Sequence, residues 1–166
     1  MALAKGILFC MVVVGLSTPL ISAKKVIAGD HVSLGPILAF INKFRGANSL
    51  SKLVFNKRLN IAADLHARDL AARNVLSHIS SNGWSITQRA NGVGYNWRLI
   101  AENISAGVSD GIEVVNAWIK SPKHRKNMLL RDIIHAGVGY ARSPNKEKEN
   151  FNHYWVLVVG SPIYDK

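Results

Sequence analysis

The sequence contains a single cysteine, Cys10, and it lies near the amino terminus. It falls inside a short apolar run that begins at Ile7 and ends at Leu16. A chain processed after that run has no disulfide, no thiolate nucleophile and no cysteine ligand for a metal ion. An exported domain of this size must then be held together by its hydrophobic core alone. The absence of disulfides favours a bacterial protein over an animal or plant protein.

The apolar run is also shorter than the roughly 20 residues that a membrane-spanning helix needs. It follows Lys5 and precedes Ser22-Ala23, the order of charged, apolar and small residues found in secretory signal peptides. We predict a signal peptide over residues 1–23, a linker over 24–35 and one domain over 36–166. The alternative is an uncleaved anchor, because Ile21 is large for the position of a small residue. The prediction is a secreted or periplasmic protein that is not an integral membrane protein.

Acidic residues are scarce, with 10 Asp and Glu against 21 Lys and Arg, and the formal net charge is +11. Such an excess attracts polyanions, among them nucleic acid, anionic lipid and the anionic polymers of a cell envelope. The sequence has no basic-aromatic motif of a nucleic-acid-binding fold, so nucleic acid is not an expected partner. It also has neither a Gly-x-Ser-x-Gly elbow nor a His-Glu-x-x-His pair, the motifs of two large hydrolase classes.

Helical periodicity dominates the first two thirds of the chain. It predicts a helix from Pro36 to Gly46, a long one over about 57–76, a short one after Trp84, one after the N-cap Asp110, and a turn at Ser121-Pro122. The buried face of the helix after Asp110 is expected to consist of Ile112, Val115, Trp118 and Ile119. The interpretation favoured for His66 is a packed or solvated histidine of the long helix. His78 is expected at the end of that helix, where a capping role alone would account for it.

The period changes near the carboxyl terminus. Residues 133–141 read as a glycine-containing strand, and residues 154–159 form an almost continuous apolar run typical of a strand covered on both faces. We expect these two strands to pair antiparallel. Residues 97–100 read as a short extended piece. Helices followed by strands predict an α+β domain in which helices pack over a small sheet.

Seven short motifs occur in order between about Ile37 and Gly160. They are Ile41-Asn42-Lys43-Phe44-Arg45, Leu76-Ser77-His78, Ala101-Glu102-Asn103-Ile104, Val114-Val115-Asn116-Ala117-Trp118, Ser121-Pro122-Lys123-His124-Arg125-Lys126-Asn127, Gly137-Val138-Gly139-Tyr140 and Tyr154-Trp155-Val156. In this order they resemble the CAP superfamily of cysteine-rich secretory, antigen 5 and pathogenesis-related class 1 proteins, and most of all its bacterial, cysteine-free branch. The resemblance implies a three-layer α-β-α sandwich with a central antiparallel sheet.

The resemblance also implies a cleft. Eukaryotic members carry two histidines and two glutamates there, and the histidines can hold a divalent metal such as zinc. His78, Glu102 and His124 match three of the four, and the second glutamate has no counterpart in this sequence. Arg89 lies in that neighbourhood, where its charge would repel a metal ion or pair with Glu102. The candidate cleft residues are thus His78, Glu102, His124, Arg89 and Asn103, with His78 and His124 as the metal ligands.

Three functions and one structural alternative stay open for this cleft. The first is an extracytoplasmic binding module for a lipid, a peptide or a cell-envelope fragment, acting as a monomer. The second is a hydrolase in which His78, His124 and Glu102 hold a metal ion or activate water directly. The third is nucleic-acid binding through net charge alone. In the structural alternative, His78 and His124 only brace the packing between loops through hydrogen bonds to Glu102. No catalytic residue is assigned.

Overall fold

The computed structural model describes residues 33–144 and 151–163, which lie within one compact unit spanning residues 32–166. The expected signal peptide and most of the expected linker lie outside the described residues. Within the described part, no helix is both long enough and apolar enough to cross a membrane. The elements in chain order are α1 (Gly35–Ala47), β1 (Val54–Phe55), α2 (Lys57–Arg73), α3 (Ile86–Gly92), β2 (Trp97–Ala106), α4 (Gly111–Lys120), α5 (Pro122–Met128), β3 (His135–Arg142) and β4 (His153–Pro162).

The four strands form one sheet in the order β1-β3-β4-β2. The expected antiparallel pairing of β3 with β4 is confirmed, and β2 pairs antiparallel with the other edge of β4. The sheet is not antiparallel throughout, because β1 pairs parallel with β3. Strand β1 has only two residues, too few for a period to be visible in the sequence. The expected short piece at 97–100 is the start of a ten-residue strand, β2.

Helices cover both faces of the sheet, as the predicted α-β-α sandwich requires. Successive side chains of a strand point to opposite faces, and β4 supplies both cores. Trp155 and Leu157 pack with α1, α4 and α5, whereas Tyr154 and Val156 pack with α2 and α3. Eight consecutive residues of β4 are buried, which is the burial that its continuous apolar run predicts.

Helix α2 lies directly on β3 because β3 carries glycine where the two backbones meet. A Cβ added to Gly137 or Gly139 would lie 2.2 Å from backbone atoms of α2, so only glycine permits this approach. The helix ends at Arg73 rather than near residue 76. Asn74 adopts a left-handed conformation with φ of 53°, and that conformation terminates the helix.

The early end of α2 corrects the expected position of His78. His78 lies in the loop between α2 and α3, outside the reach of a helix dipole. A smaller correction concerns α1, in which Gly46 is still helical and the helix ends one residue later, at Ala47.

Two buried side chains fix α4 against β2 and α1 against the end of α5. Trp118 of α4 is buried, as its helical spacing predicts, and its indole nitrogen donates to the carbonyl of Ile104 at 3.3 Å. Val114, rather than the expected Ile112, completes the buried face. Arg45 of α1 is fully buried, and its Nη1 donates to the carbonyls of Met128 at 2.7 Å and Leu130 at 2.9 Å. This guanidinium thereby ties α1 to the end of α5.

Candidate functional site

The site is built around the carboxylate of Glu102, whose side chain is 2% exposed. Its Oε1 accepts a hydrogen bond from Nδ1 of His78 at 2.8 Å, and its Oε2 accepts one from Nη2 of Arg89 at 2.5 Å. Glu102 lies in the interior of β2, opposite Val158 of β4 and beyond the short extended piece predicted over residues 97–100. A buried carboxylate of this kind is stable only because a guanidinium compensates its charge and an imidazole N–H donates a hydrogen bond to it.

The hydrogen bond to Glu102 fixes the orientation of His78. An ionised carboxylate only accepts, so Nδ1 of His78 must carry the proton of this bond. In the neutral ring, Nε2 then keeps its lone pair free. The side chain of His78 is 57% exposed, which leaves that nitrogen open to solvent. This is the arrangement in which a carboxylate orients an imidazole to bind a metal ion or accept a proton.

Arg89 holds the loop that carries His78. Its Nη1 donates to the carbonyl of His78 at 3.1 Å, to Oγ of Ser80 at 2.9 Å and to the carbonyl of Trp84 at 2.8 Å. Together with the bond to Glu102, these contacts link α3, the loop and β2 through one side chain. Arg89 does pair with Glu102, which was one of the two possibilities that its position left open.

His66 of α2 also belongs to this cluster, although its sequence context favoured a merely packed residue. Its Nε2–H donates to the carbonyl of Ser77 at 2.9 Å, its Nδ1 accepts from Oγ of Ser80 at 3.0 Å, and Nε2 lies 3.9 Å from Oε1 of Glu102. Burial lowers the pKa of His66, and the nearby Arg89 charge lowers it further against the opposing effect of Glu102. The ring is therefore packed, neutral and satisfied at both nitrogens.

His124 reaches the site because α5 is fastened to β2 by two asparagines. The side-chain amide of Asn103 donates to the carbonyl of His124 at 3.1 Å. The amide of Asn127 donates to the carbonyl of Glu102 at 3.1 Å and to Oδ1 of Asn103 at 2.9 Å. Asn127 was not a candidate from the sequence. Its spacing of three residues from His124, which puts both on one side of a helix, is the signal by which it could have been found.

The imidazoles of His78 and His124 are close enough to interact electrostatically. Burial lowers the pKa of the half-buried His124, and the neighbouring His78 lowers it further. His124 is accordingly neutral at neutral pH. The exposed surface of the cluster consists of these two rings, whereas Glu102, Arg89 and Asn103 are buried beneath them. The three buried residues position the rings and are not themselves open to a ligand.

The donor set fits a loosely held metal ion better than a structural one. In residues 33–144 and 151–163, no three side chains of the types His, Cys, Asp or Glu are placed to hold one ion. The available donors are the two imidazoles of His78 and His124, because Arg89 and His78 already occupy Glu102. Structural zinc sites use four protein ligands, whereas two imidazoles leave the remaining positions to solvent or to a ligand.

Comparison with known proteins agrees with the fold and the motif order. Residues 38–159 match the Cysteine-rich secretory protein family, CAP, and the chain belongs to this family. It is 31% identical over 107 residues to the uncharacterized protein YkwD of Bacillus subtilis (strain 168), a match that covers 64% of this chain and 42% of YkwD. It is also 31% identical over 119 residues to the uncharacterized membrane protein YlbC of the same organism, covering 72% of this chain and 34% of YlbC. The chain thus spans less than half the length of these two relatives.

Solved structures of two bacterial proteins share the fold. An extracellular protein containing an SCP domain from Bacillus anthracis str. Ames superposes with a TM-score of 0.65 at 26% identity, over 75% of this chain and 39% of that one. An outer surface protein from Borrelia burgdorferi superposes with a TM-score of 0.68 at 21% identity, over 79% of this chain and 96% of that one. The second likeness concerns the fold alone.

Proposed function

We propose that this chain is an extracytoplasmic binding module whose ligand contacts the imidazoles of His78 and His124. The observation that carries the proposal is the pair of hydrogen bonds that the buried Glu102 accepts, one from Arg89 and one from the ring of His78. The carboxylate is thereby removed from direct chemistry and serves to hold His78 with Nε2 outward. What the surface offers a ligand is two neighbouring imidazoles, which accept hydrogen bonds and bind metal ions when neutral.

The ligand class that suits this surface is a fragment of the cell envelope, a lipid or a peptide, held directly or through a divalent ion such as zinc. Two imidazoles suit a borderline-soft metal and leave open positions for oxygen atoms of the ligand. Bound there, a metal would supply a positive charge to this surface. The chain's own contribution is to orient the ring of His78 through Glu102 and to hold the backbone at His124 through Asn103 and Asn127.

Metal binding by the purified protein, prepared without a histidine tag, tests the proposal. We expect calorimetry to detect zinc binding that is lost in His124→Ala and retained in His135→Ala, the control histidine in β3 whose Nδ1 bonds to Tyr95. Affinity should fall as the pH drops below about 6.5, because only neutral imidazole binds a metal. Equal binding by both variants would place the ion elsewhere. Absence of binding in the wild type would restrict the proposal to ligands that contact the rings directly.

A hydrolase is the second candidate, favoured by the hydrogen bond between Glu102 and His78. A carboxylate that orients an imidazole is the arrangement of a general base, and His78 Nε2 would take a proton from water. Within the described residues, His78 makes no hydrogen bond to a hydroxyl or thiol nucleophile. Turnover of a chromogenic ester or a labelled peptide that disappears in His78→Gln, with the fold retained, would favour this candidate over simple binding.

Export is part of the proposal, since the binding surface would meet its ligand outside the cytoplasm. The pattern of Lys5, the apolar run and Ser22-Ala23 supports it. We expect mass spectrometry of the protein recovered from the periplasm or medium to find a chain that begins near Lys24. A chain that keeps Met1, or one found only in the cytoplasm, would contradict this part.

A further inference from the structure

An open depression of about 660 Å³ lies where α4 ends and α5 begins. We call it the α4–α5 basic surface. Its cations come from three segments, which are the end of α4, the helix α5 and the residues after α5. It includes neither His78 nor His124. The residues that line it are Lys120, Arg125, Lys126 and Arg131, together with Pro122, Leu129 and Leu130.

No acidic side chain compensates the cations of this surface. Residues 114–131 contain no Asp or Glu, and Asp132 forms no ion pair within residues 33–144 and 151–163. Cations held together in this way raise the local concentration of anions and favour their binding. The arginines that do pair with carboxylates lie on α2 and α3, and they are Arg68, Arg73 and Arg89.

The arrangement of the cations favours phosphate groups over carboxylates. A phosphate is tetrahedral and can be contacted from several sides, whereas a carboxylate is planar and suits one guanidinium. Arginine binds phosphate through paired hydrogen bonds, and lysine binds it as a point charge. Each phosphodiester carries one negative charge. Charge matching with the lysines and arginines of the α4–α5 basic surface therefore takes several phosphates in one chain.

The apolar and aromatic residues at this surface favour neither nucleic acid nor a membrane. Proteins that bind single-stranded nucleic acid stack its bases on aromatic rings. The ring of Phe44 beside this surface is half-buried, and the guanidinium of Arg125 covers it at 5.4 Å from the ring centroid. Binding at a membrane interface requires apolar side chains that insert among the lipids. Leu129 and Leu130 are half-buried, so they do not project for insertion.

We propose that the α4–α5 basic surface binds a linear phosphodiester polymer of the cell envelope, one whose linking units are small and neutral. Successive phosphates of the polymer contact the cations of α4, of α5 and of the segment after α5. This surface shares no residue with the ligand surface proposed for His78 and His124. Failure of metal binding at the two imidazoles would therefore leave this proposal intact.

A synthetic glycerol phosphate oligomer is the probe, because it has phosphodiesters but neither bases nor acyl chains. We expect calorimetry at low ionic strength to detect its binding, and added salt to weaken the binding. A glutamate oligomer with the same number of charges should bind more weakly. Oligothymidylate with the same number of phosphates should bind no more tightly, because its bases find no ring on which to stack. Absence of binding by the glycerol phosphate oligomer would overturn the proposal.

The comparison probes also test other occupants. Tighter binding of the glutamate oligomer would indicate a carboxylate polymer, and tighter binding of oligothymidylate would indicate nucleic acid. Tighter binding to phosphatidylglycerol vesicles, compared at equal concentrations of accessible phosphate, would indicate a membrane surface. Each of these three results would overturn the proposal.

A matched pair of double variants separates this surface from the overall positive charge. Lys120→Gln with Lys126→Gln removes two of its cations and should weaken binding of the glycerol phosphate oligomer by about tenfold. Lys52→Gln with Lys57→Gln removes the same charge elsewhere, so its affinity should stay close to that of the wild type. All four lysines are exposed, so both variants should fold, and circular dichroism checks this. Equal weakening in the two variants would show that net charge alone attracts the polymer, which would refute the assignment.

Discussion

The buried pair of Arg89 and Glu102 gives the sharpest test of how the site is held together. Arg89→Met keeps much of the aliphatic length and removes the charge. Glu102 would then remain buried with only His78 as a partner. Removing one member of a buried pair costs about 3–5 kcal/mol, because the other charge is left uncompensated. That is a large part of the roughly 5–15 kcal/mol that stabilises a domain, so the variant should fold but unfold more readily.

The structure supplies a matched control on the protein surface. Arg68 and Asp64 of α2 form an ion pair at 2.8 Å, with side chains that are 71% and 41% exposed. An exposed pair of this kind contributes roughly 0.3–0.5 kcal/mol. Arg68→Met should therefore change the free energy of unfolding by less than about 1 kcal/mol. Both arginines pair with a carboxylate of this chain. The difference between the two losses in free energy of unfolding therefore measures the effect of burial.

A double variant separates lost charge compensation from lost packing. Arg89→Met combined with Glu102→Gln leaves no bare carboxylate, so it should be more stable than the sum of the two single losses predicts, by about 2 kcal/mol. The free energy of unfolding of each variant is measured by titration with guanidinium chloride at pH 7.5. The fluorescence of the buried Trp118 and Trp155 reports the transition. The reasoning fails if Arg89→Met costs no more than Arg68→Met, or if the two site substitutions are simply additive.

Three further predictions concern the core and the buried histidine. Trp118→Ala should lower the free energy of unfolding by about 3–5 kcal/mol, and an unchanged denaturation midpoint would contradict its burial. Gly139→Ala should cost about 1–3 kcal/mol, because its Cβ would meet the backbone of α2 at 2.2 Å; Gly46→Ala has nothing within 4 Å and should instead stabilise its helix slightly in the same assay. Burial lowers the pKa of His66 in the folded state. As the pH falls, the unfolded state therefore takes up a proton on this histidine before the folded state does. The stability contributed by the neutral ring is fully present above about pH 6.5 and decreases below it. His66→Asn should reduce that slope in unfolding curves collected from pH 7.5 to pH 5, and an unchanged slope would contradict the assignment.

The fold class, the helices α1 and α4 and the strand β4 followed from the sequence. Helical spacing in α1 and α4 and the apolar run in β4 are local patterns, and each reports which face of its own element is buried. Trp118 was identified as a core residue for this reason. The order of seven short motifs identified the family, because motif order depends on the sequence alone.

Local patterns could not reveal the parts of the fold that depend on other segments. Strand β1 has two residues, so only its pairing with β3 defines it. Helix α2 ends because Asn74 adopts a left-handed conformation. The sequence does not show this end, because the apolar residues after Asn74 continue the helical pattern. Its position moved His78 from a helix end into a loop, where its orientation comes from Glu102, 24 residues later in the sequence.

The candidate site illustrates the same division at the level of single residues. The sequence marked His78, Glu102 and His124 through their motifs, but it did not determine which of them a ligand could reach. Only the tertiary structure buries Glu102 under Arg89 and brings His66 within 3.9 Å of it. Burial and charge compensation are set by groups that are distant in sequence, because they depend on which side chains the packed layers bring together. The sequence therefore identified the candidate residues of this site, whereas the fold determined the role of each.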